Sequence, residues 1–299
     1  MSVVFEKILF LIILASAGFV LCKTGVADHK QAKLLSVLEV YLFLPANSLK
    51  TYSVNFTVDY FRKNYYLILV SLAVLVVVLV LADLVAKRLT DDPYRRTVYR
   101  YSLIFANYGL IGQPLTADLF GNLVLQDAMV FTFPMGLCAY TIGYSMLSKS
   151  GLNLKKLINP PIIAILTGAL IGLTGIQLPS AVSTTLEKAA ACISPVGMIL
   201  AGMVISEFDI RTLLRRKSDY IVVLCRLVLF PCAIAGALAL LGLDDVVIPA
   251  LMMYAMPCGM NTIIVPRLIG EDCESGAALA LISNLLACIT IPLCVSLFT

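Results

Sequence analysis

The sequence predicts an all-α polytopic membrane protein with ten transmembrane helices. Hydrophobic residues occupy 60% of the 299 positions and charged residues only 13%. Soluble domains have roughly half apolar and a quarter charged residues, so a mean hydropathy of +0.96 excludes that class. Apolar stretches near the ~20 residues that cross a bilayer recur along the whole chain and leave no room for a soluble domain.

Ten apolar segments, numbered one to ten in chain order, meet this length requirement. They cover residues 5–22, 34–53, 65–86, 97–119, 122–147, 158–175, 186–205, 220–241, 246–269 and 276–298. The first is similar to a secretory signal, because Ala15-Ser16-Ala17 follows its apolar stretch. Only Lys7 precedes that stretch, however, and nothing soluble follows it, so we interpret it as a membrane helix.

Basic residues predict the orientation of these segments. Alternate connections, starting with the one after segment one, hold fifteen Lys and Arg residues, whereas the opposite set holds five. By the positive-inside rule, both termini face outside a plasma or inner membrane. The net charge of +4 is therefore a topology signal and does not indicate a nucleic-acid partner.

The cysteines and the single histidine, His29, predict neither a disulfide framework nor a metal site. Nine cysteines lie almost wholly inside apolar segments, and no two of them form a CxxC pair. We interpret them as small buried hydrophobic residues and expect no metal or other cofactor.

The two halves of the chain, 1–150 and 151–299, form a predicted repeat. An offset of 150 residues matches helix breakers and loop residues, and an offset of 152 matches prolines in segments four and nine. The matches are Gly18 with Gly168, Thr24-Gly25 with Thr174-Gly175, Pro45 with Pro195, and Pro114 with Pro266. Each half holds five segments, an odd number, so the second copy is inverted relative to the first. Secondary transporters use this plan, with the substrate site at discontinuous helices.

Segments four and nine contain the predicted discontinuities, FANYGLIGQPL (105–115) and AMPCGMNTIIVPRLIG (255–270). Their prolines and glycines release backbone groups that only a wet cavity can solvate. Proline favours the first helical position, so a half-helix is expected near Pro114 and another near Pro266, with both N-termini directed toward an anion such as a carboxylate. The candidate substrate-binding residues are Asn107, Gly109, Gly112, Gln113, Pro114, Pro257, Gly259, Asn261, Thr262 and Pro266.

These segments resemble the auxin efflux carrier family, which contains plant auxin exporters and bacterial permeases of organic acids. NYGLIGQPL (107–115) is similar to the family's N-x-x-x-x-G-x-P-L crossover motif, AMPCGMNTIIVPRLIGED (255–272) to its ninth helix and ISPVGMILAGMVI (193–205) to its seventh. The resemblance implies that helices four and nine cross at the site. It also implies a scaffold of helices one, two, six and seven that forms a homodimer, and a transport domain of helices three to five and eight to ten that moves like an elevator.

Further expectations follow from the same resemblance. The nine residues between the halves, 149–157, are typical of compact bacterial members. We expect Pro45, Asn47 and Pro195 to face the site from the scaffold.

Three ionisable residues inside the segments, Glu39, Arg226 and Arg267, are candidates for ion or anion contact. Long side chains near the interface also snorkel, which is the alternative interpretation. The leading hypothesis is a secondary transporter of small organic anions such as malate, malonate or auxin-like acids, with Na⁺ or H⁺ as the candidate coupling ion. The alternative is a sodium-coupled bile-acid-type symporter or a cation/proton antiporter of the same fold.

An enzyme is disfavoured by the motifs. The chain has neither the G-x-x-x-x-G-K-[ST] phosphate loop nor H-E-x-x-H. Asp91-Asp92 and Asp244-Asp245 lack the further acidic partners that a magnesium site for prenyl chemistry would need.

Overall fold

The structure, a computed structural model, describes residues 2–28, 30–148 and 158–299, and helices dominate those ranges. In chain order they are α1 (Ser2–Lys23), α2 (Gln31–Asn55), α3 (Val58–Asn64), α4 (Tyr66–Leu89), α5 (Pro93–Ile104), α6 (Gln113–Phe131), α7 (Phe133–Leu147), α8 (Pro160–Thr174), α9 (Ser180–Ile205), α10 (Ile210–Leu213), α11 (Lys217–Leu240), α12 (Asp244–Tyr254), α13 (Asn261–Ile269) and α14 (Glu274–Phe298). His29 and the connection 149–157, with three of the basic residues used for the orientation, lie outside the described residues.

Several of these helices are long and apolar enough to cross a membrane. Within the described ranges six meet that criterion, namely α1, α2, α4, α9, α11 and α14, and the pair α6 and α7, bent by 45°, makes a seventh if it is one span. Helix α8 is apolar but shorter. The protein is therefore a multi-pass membrane protein. Predicted segments four and nine are divided into shorter helices, so the length criterion does not include them, and the total of ten stays a prediction.

Wide π-helical turns interrupt several helices, and three of them end two residues before a proline. These are Glu39–Phe43 before Pro45, Tyr108–Gly112 before Pro114 and Cys225–Leu229 before Pro231. Proline offers no N–H to the carbonyl four residues earlier, and its ring crowds that carbonyl. A π turn shifts the hydrogen bonding by one residue, which lets the helix continue past the proline.

Two pairs of helices, α1 with α9 and α2 with α8, pack closely and equivalently. A Cβ atom added at Gly18 would lie 2.1 Å from the carbonyl oxygen of Ile199, and one added at Gly168 would lie 2.9 Å from that of Leu49. Gly18 and Gly168 are 150 residues apart, and so are Leu49 and Ile199. The same close contact therefore occurs once in each pair of helices. The first half of the chain supplies the glycine in one pair, and the second half supplies it in the other.

A second group of helices packs beside α1, α2, α8 and α9. Helix α4 packs on α5, α11 on α12, and α12 on α6, while α14 contacts both groups. Gly121 interrupts α6 with φ 80° and ψ −179°, a conformation that glycine tolerates. The chain therefore changes direction at Gly121, which is where the sequence predicts the connection between segments four and five.

Candidate functional site

Two breaks in the helical backbone meet and pair with each other. The first lies between Ile104 and Tyr108, and the second lies between Tyr254 and Asn261. Ala106 and Cys258 form an antiparallel bridge there. The N–H of the residue after Ala106 donates to the carbonyl of the residue before Cys258 at 2.8 Å, and the reciprocal bond is 3.2 Å long. The two predicted discontinuities therefore lie against each other, and each one pairs some of the backbone groups that the other leaves without a helical partner.

The pairing follows the predicted repeat. An offset of 152 residues relates Phe105 to Pro257, Ala106 to Cys258 and Asn107 to Gly259. The two hydrogen bonds run from Asn107 to Pro257 and from Gly259 to Phe105. Their donors are therefore equivalent residues of the two halves, and so are their acceptors. A two-fold axis through the bridge would produce the same pattern.

Arg226 lies behind the crossing and holds the ends of two helices. Its side chain is fully buried. The guanidinium donates to the carbonyl oxygens of Leu103 at 3.0 Å and Met256 at 3.3 Å, with longer contacts of 3.5 Å to Ile104 and Met253. Leu103, Ile104 and Met253 lie at the C-terminal ends of α5 and α12, where the helix dipole favours a cation, and Met256 lies two residues beyond α12. Arg226 is thus a structural group in this conformation and does not line the cavity described next.

A small polar cavity lies on the other side of the crossing. Its volume is about 60 Å³, enough for a few water molecules. It is lined by residues of the two breaks and of seven helices, α2, α5, α6, α7, α8, α9 and α13. Seven of the predicted site residues line it, namely Glu39, Asn47, Asn107, Gly109, Gln113, Gly259 and Asn261.

The two asparagines of the cavity differ in their hydrogen bonds. Asn261 donates from Nδ2 to the hydroxyl of Tyr101 at 2.7 Å, which links α13 to α5. Asn107 is buried, and its Nδ2 has no hydrogen-bond partner among the described residues. An unsatisfied buried donor is costly, so Asn107 is the amide best placed to bind a ligand acceptor.

The helices that leave the crossing direct their N-terminal turns toward this cavity. Helical backbone resumes at Tyr108 in a π turn that continues into α6, with Pro114 in the first α-helical turn as predicted. Helix α13 begins at Asn261, so the prediction of a start near Pro266 was wrong by five residues. Pro266 lies inside α13 and leaves the carbonyl of Thr262 without its usual donor, and Gly276 of α14 packs directly on that oxygen.

The remaining predicted site residues lie near the cavity but not in its wall. Gly112 packs on Met256, and Thr262 donates from its hydroxyl to the carbonyl of Gly259. Pro257 contributes the carbonyl that Asn107 binds. Pro45 follows a π turn in α2 and Pro195 lies within α9.

Arg267 also lies outside the cavity wall. It forms an ion pair with Glu207, at the end of α9, and both side chains are about one-fifth exposed. The structure therefore places this cation at an interface between helices and not at the crossing.

Tyrosines and hydroxyl residues of the cavity were missed in the sequence. They are Tyr52, Tyr101, Tyr108 and Tyr140, with Ser48 and Thr51. A usable signal existed in α2, where Asn47, Ser48 and Thr51 place polar groups on one face of an otherwise apolar helix. The tyrosines gave no comparable signal, because tyrosine is common in membrane helices near the interface.

An open vestibule adjoins the cavity. Its volume is about 430 Å³, and it shares Asn47, Thr51, Gly109 and Gln113 with the cavity wall. Pro114 also lines it, together with two exposed charged residues, the cation Lys50 and the anion Glu187. The vestibule thus gives the cavity a route to one end of the molecule, the end that the basic-residue pattern predicts to be outside.

Comparison with known proteins defines the class. A family model described as "Membrane transport protein" matches residues 3–156 and again residues 146–295, which together span nearly the whole chain. The protein is therefore a membrane transporter, and it belongs to the auxin efflux carrier family. The two matches cover one half of the chain each, as a repeat would. Among curated proteins no match to the chain is found.

Proposed function

We propose that the protein is a secondary active transporter of small organic anions, with carboxylates as the substrate class. The observation that carries this proposal is the polar cavity where the two breaks cross, with helix N-terminal turns and the unpartnered amide of Asn107 at its wall. Free N–H groups at a helix N-terminus and the helix dipole both favour an anion. The tyrosine hydroxyls of the wall add neutral donors.

The vestibule offers an anionic substrate a route to the cavity. Lys50 and Glu187 both line it, so its wall carries one positive and one negative side chain, and Lys50 is the cation that an entering anion would contact. The cavity itself is too small for a dicarboxylate such as malate, so substrate entry requires the helices around the crossing to separate.

The proposed architecture is ten helices in two inverted repeats, 1–150 and 151–299. It is supported by the antiparallel pairing of Ala106 with Cys258 and by the equivalent contacts of Gly18 and Gly168. Two matched helix ends add to this, because Gly25 and Gly175 both adopt positive φ, 75° and 69°, at equivalent positions.

The proposed mechanism is alternating access by an elevator-type motion. The scaffold of α1, α2, α8 and α9 would stay fixed and dimerise, while α4 to α7 and α11 to α14 move. Two ion pairs join these groups at opposite ends of the molecule, Lys7 with Asp118 and Glu207 with Arg267. Both would have to break as the groups slide. The Lys7–Asp118 pair is the more exposed of the two, and solvent-exposed ion pairs contribute little stability.

Transport measurements in reconstituted vesicles test the proposal. Labelled mono- and dicarboxylates are supplied as a panel, with sodium and proton gradients imposed separately. We expect saturable uptake of at least one carboxylate that unlabelled substrate inhibits. Flux of inorganic cations without any carboxylate flux would overturn the proposal and favour the antiporter alternative.

A further inference from the structure

Glu39 is a buried carboxylate in the wall of the transport cavity. It begins the π turn Glu39–Phe43 of α2, and its exposed fraction is 0%. Neither carboxylate oxygen has a hydrogen-bond partner among the described residues. The equivalent position in the second half of the chain, 150 residues later, is Ala189, so only one half supplies an acid here.

The groups around Glu39 offer it no cation. The titratable residues that share the cavity wall are Tyr52, Tyr101, Tyr108 and Tyr140. Helix α8, which packs on the π turn, contains no titratable residue. Helix α9 also packs there, and its Glu187, Lys188 and Cys192 are exposed toward its other end.

The two other cations on neighbouring stretches of helix, Lys33 and Arg267, do not pair with Glu39 either. Lys33 of α2 is exposed, one to two turns before Glu39. Helix α13 packs on the preceding part of α2, but its Arg267 is paired with Glu207. Within the described residues, no ion pair to Glu39 exists.

An ionised carboxylate in this position would be unstable for two reasons. Burying a charge without partners costs far more than burying the neutral acid, so such groups take up a proton. Glu39 also shares the cavity wall with Asn107, so an anionic substrate bound at Asn107 after the helices separate would lie near the Glu39 carboxylate, and two like charges repel in a poorly solvated site.

We propose that Glu39 is the proton-binding site of the carrier and that one proton moves together with the organic anion. This inference rests on the proposed function. A proton from the solvent on the loading side forms the O–H bond of the Glu39 carboxylic acid, and the same bond breaks after the cavity opens to the other side. By linkage, anion binding raises the proton affinity of the site by the same factor as protonation raises the anion affinity.

The test compares Glu39→Gln with the matched control Glu6→Gln, which removes an exposed acid near the N-terminus. Wild type should accumulate the carboxylate about tenfold more for each pH unit of imposed gradient, because one proton accompanies each anion. Glu39→Gln should still exchange internal for external substrate but lose this accumulation, and Glu6→Gln should behave as wild type. If Glu39→Gln does not reach the membrane, Glu39→Asp serves, and it should keep the coupling.

Infrared difference spectroscopy of the purified protein provides a readout that needs no substrate. A carboxylic acid C=O band should be present at neutral pH, be absent in Glu39→Gln and remain in Glu6→Gln. Absence of the band, or pH-driven accumulation that survives in Glu39→Gln, would overturn the proposal. Accumulation driven only by a sodium gradient would overturn it in favour of a metal cation. A Glu39 band in a protein that moves no carboxylate would support proton binding while the anion proposal fails.

Discussion

Ala106 and Cys258 occupy the same position in the two halves of the sequence, and they pair with each other. Residues related by a two-fold axis can face each other in an antiparallel bridge only where they lie on that axis. At this bridge, matching positions of the two halves of the sequence therefore contribute equivalent backbone. In the proposed alternating-access mechanism, a substrate bound there would be equally placed for release to either side.

Asn107→Ala is expected to lower substrate affinity by about ten- to a hundredfold, because a hydrogen bond to a charged group contributes about 1.5–3 kcal/mol. Binding to the purified protein and uptake in vesicles measure this change. Asn122→Ala is the matched control, since Asn122 is exposed next to the kink at Gly121. Unchanged affinity in Asn107→Ala would remove this amide from the site.

Ser48→Cys is expected to react with a small thiol reagent and to be protected by saturating substrate. Ser48 lines the cavity, whereas Ser53 of the same helix does not. The measurement is the labelling of each variant beyond that of the parent protein. Ser53→Cys is the control, and substrate should not change its labelling. Native Cys258 should stay unlabelled in both states, because it is fully buried and lies outside the cavity wall. Equal labelling of Ser48→Cys with and without substrate would contradict the location of the site.

Arg226→Lys is expected to destabilise the protein by about 3 kcal/mol or more, since an ammonium group cannot reach carbonyls of both helix ends and leaves buried acceptors unpaired. Thermal unfolding in detergent measures the loss. Arg62→Lys, an exchange at an exposed position, should change stability by no more than about 0.5 kcal/mol. A wild-type unfolding temperature in Arg226→Lys would show that the carbonyl contacts contribute little.

Gly18→Ala is expected to cost about 1–3 kcal/mol, because the new methyl group would meet the backbone of Ile199 and force α1 away from α9. Gly236→Ala is a suitable control, since a Cβ there meets no atom within 4 Å. In the control, alanine should stabilise the helix by about 0.5–1 kcal/mol. Equal stability of the two variants would indicate that the close helix contact is not formed.

Linking positions 7 and 118 is expected to arrest transport. Lys7→Cys with Asp118→Cys, joined by a short bifunctional thiol reagent, would tie the scaffold to the moving group. The control is Asp83→Cys with Lys87→Cys, two positions within α4 that form an ion pair in the native protein. Linking them with the same reagent joins no two helices and should leave the transport rate unchanged. Normal transport after complete linking of 7 to 118 would exclude sliding between these helices.

Much of the crossing was predictable because it depends on local chemistry. Proline, glycine and asparagine in matching places of segments four and nine indicated breaks, and the structure pairs those breaks. The start of α13 was predicted too late, because a proline can lie inside a helix when a neighbouring helix covers the carbonyl it frees, as Gly276 does for Thr262. The partners of Arg226 were not predictable, since its hydrogen bonds reach carbonyls 27 to 123 residues away.

The contacts of Arg226 also bear on how the chain is made. Inserting an arginine in the middle of an apolar helix costs about 2.5–3.5 kcal/mol at the bilayer centre. During synthesis the carbonyls of Leu103 and Ile104 are already in place when α11 leaves the ribosome, whereas those of Met253 and Met256 do not yet exist. The earlier helix end can therefore receive the guanidinium first, and the carbonyls of Met253 and Met256 add their contacts once α12 has been made.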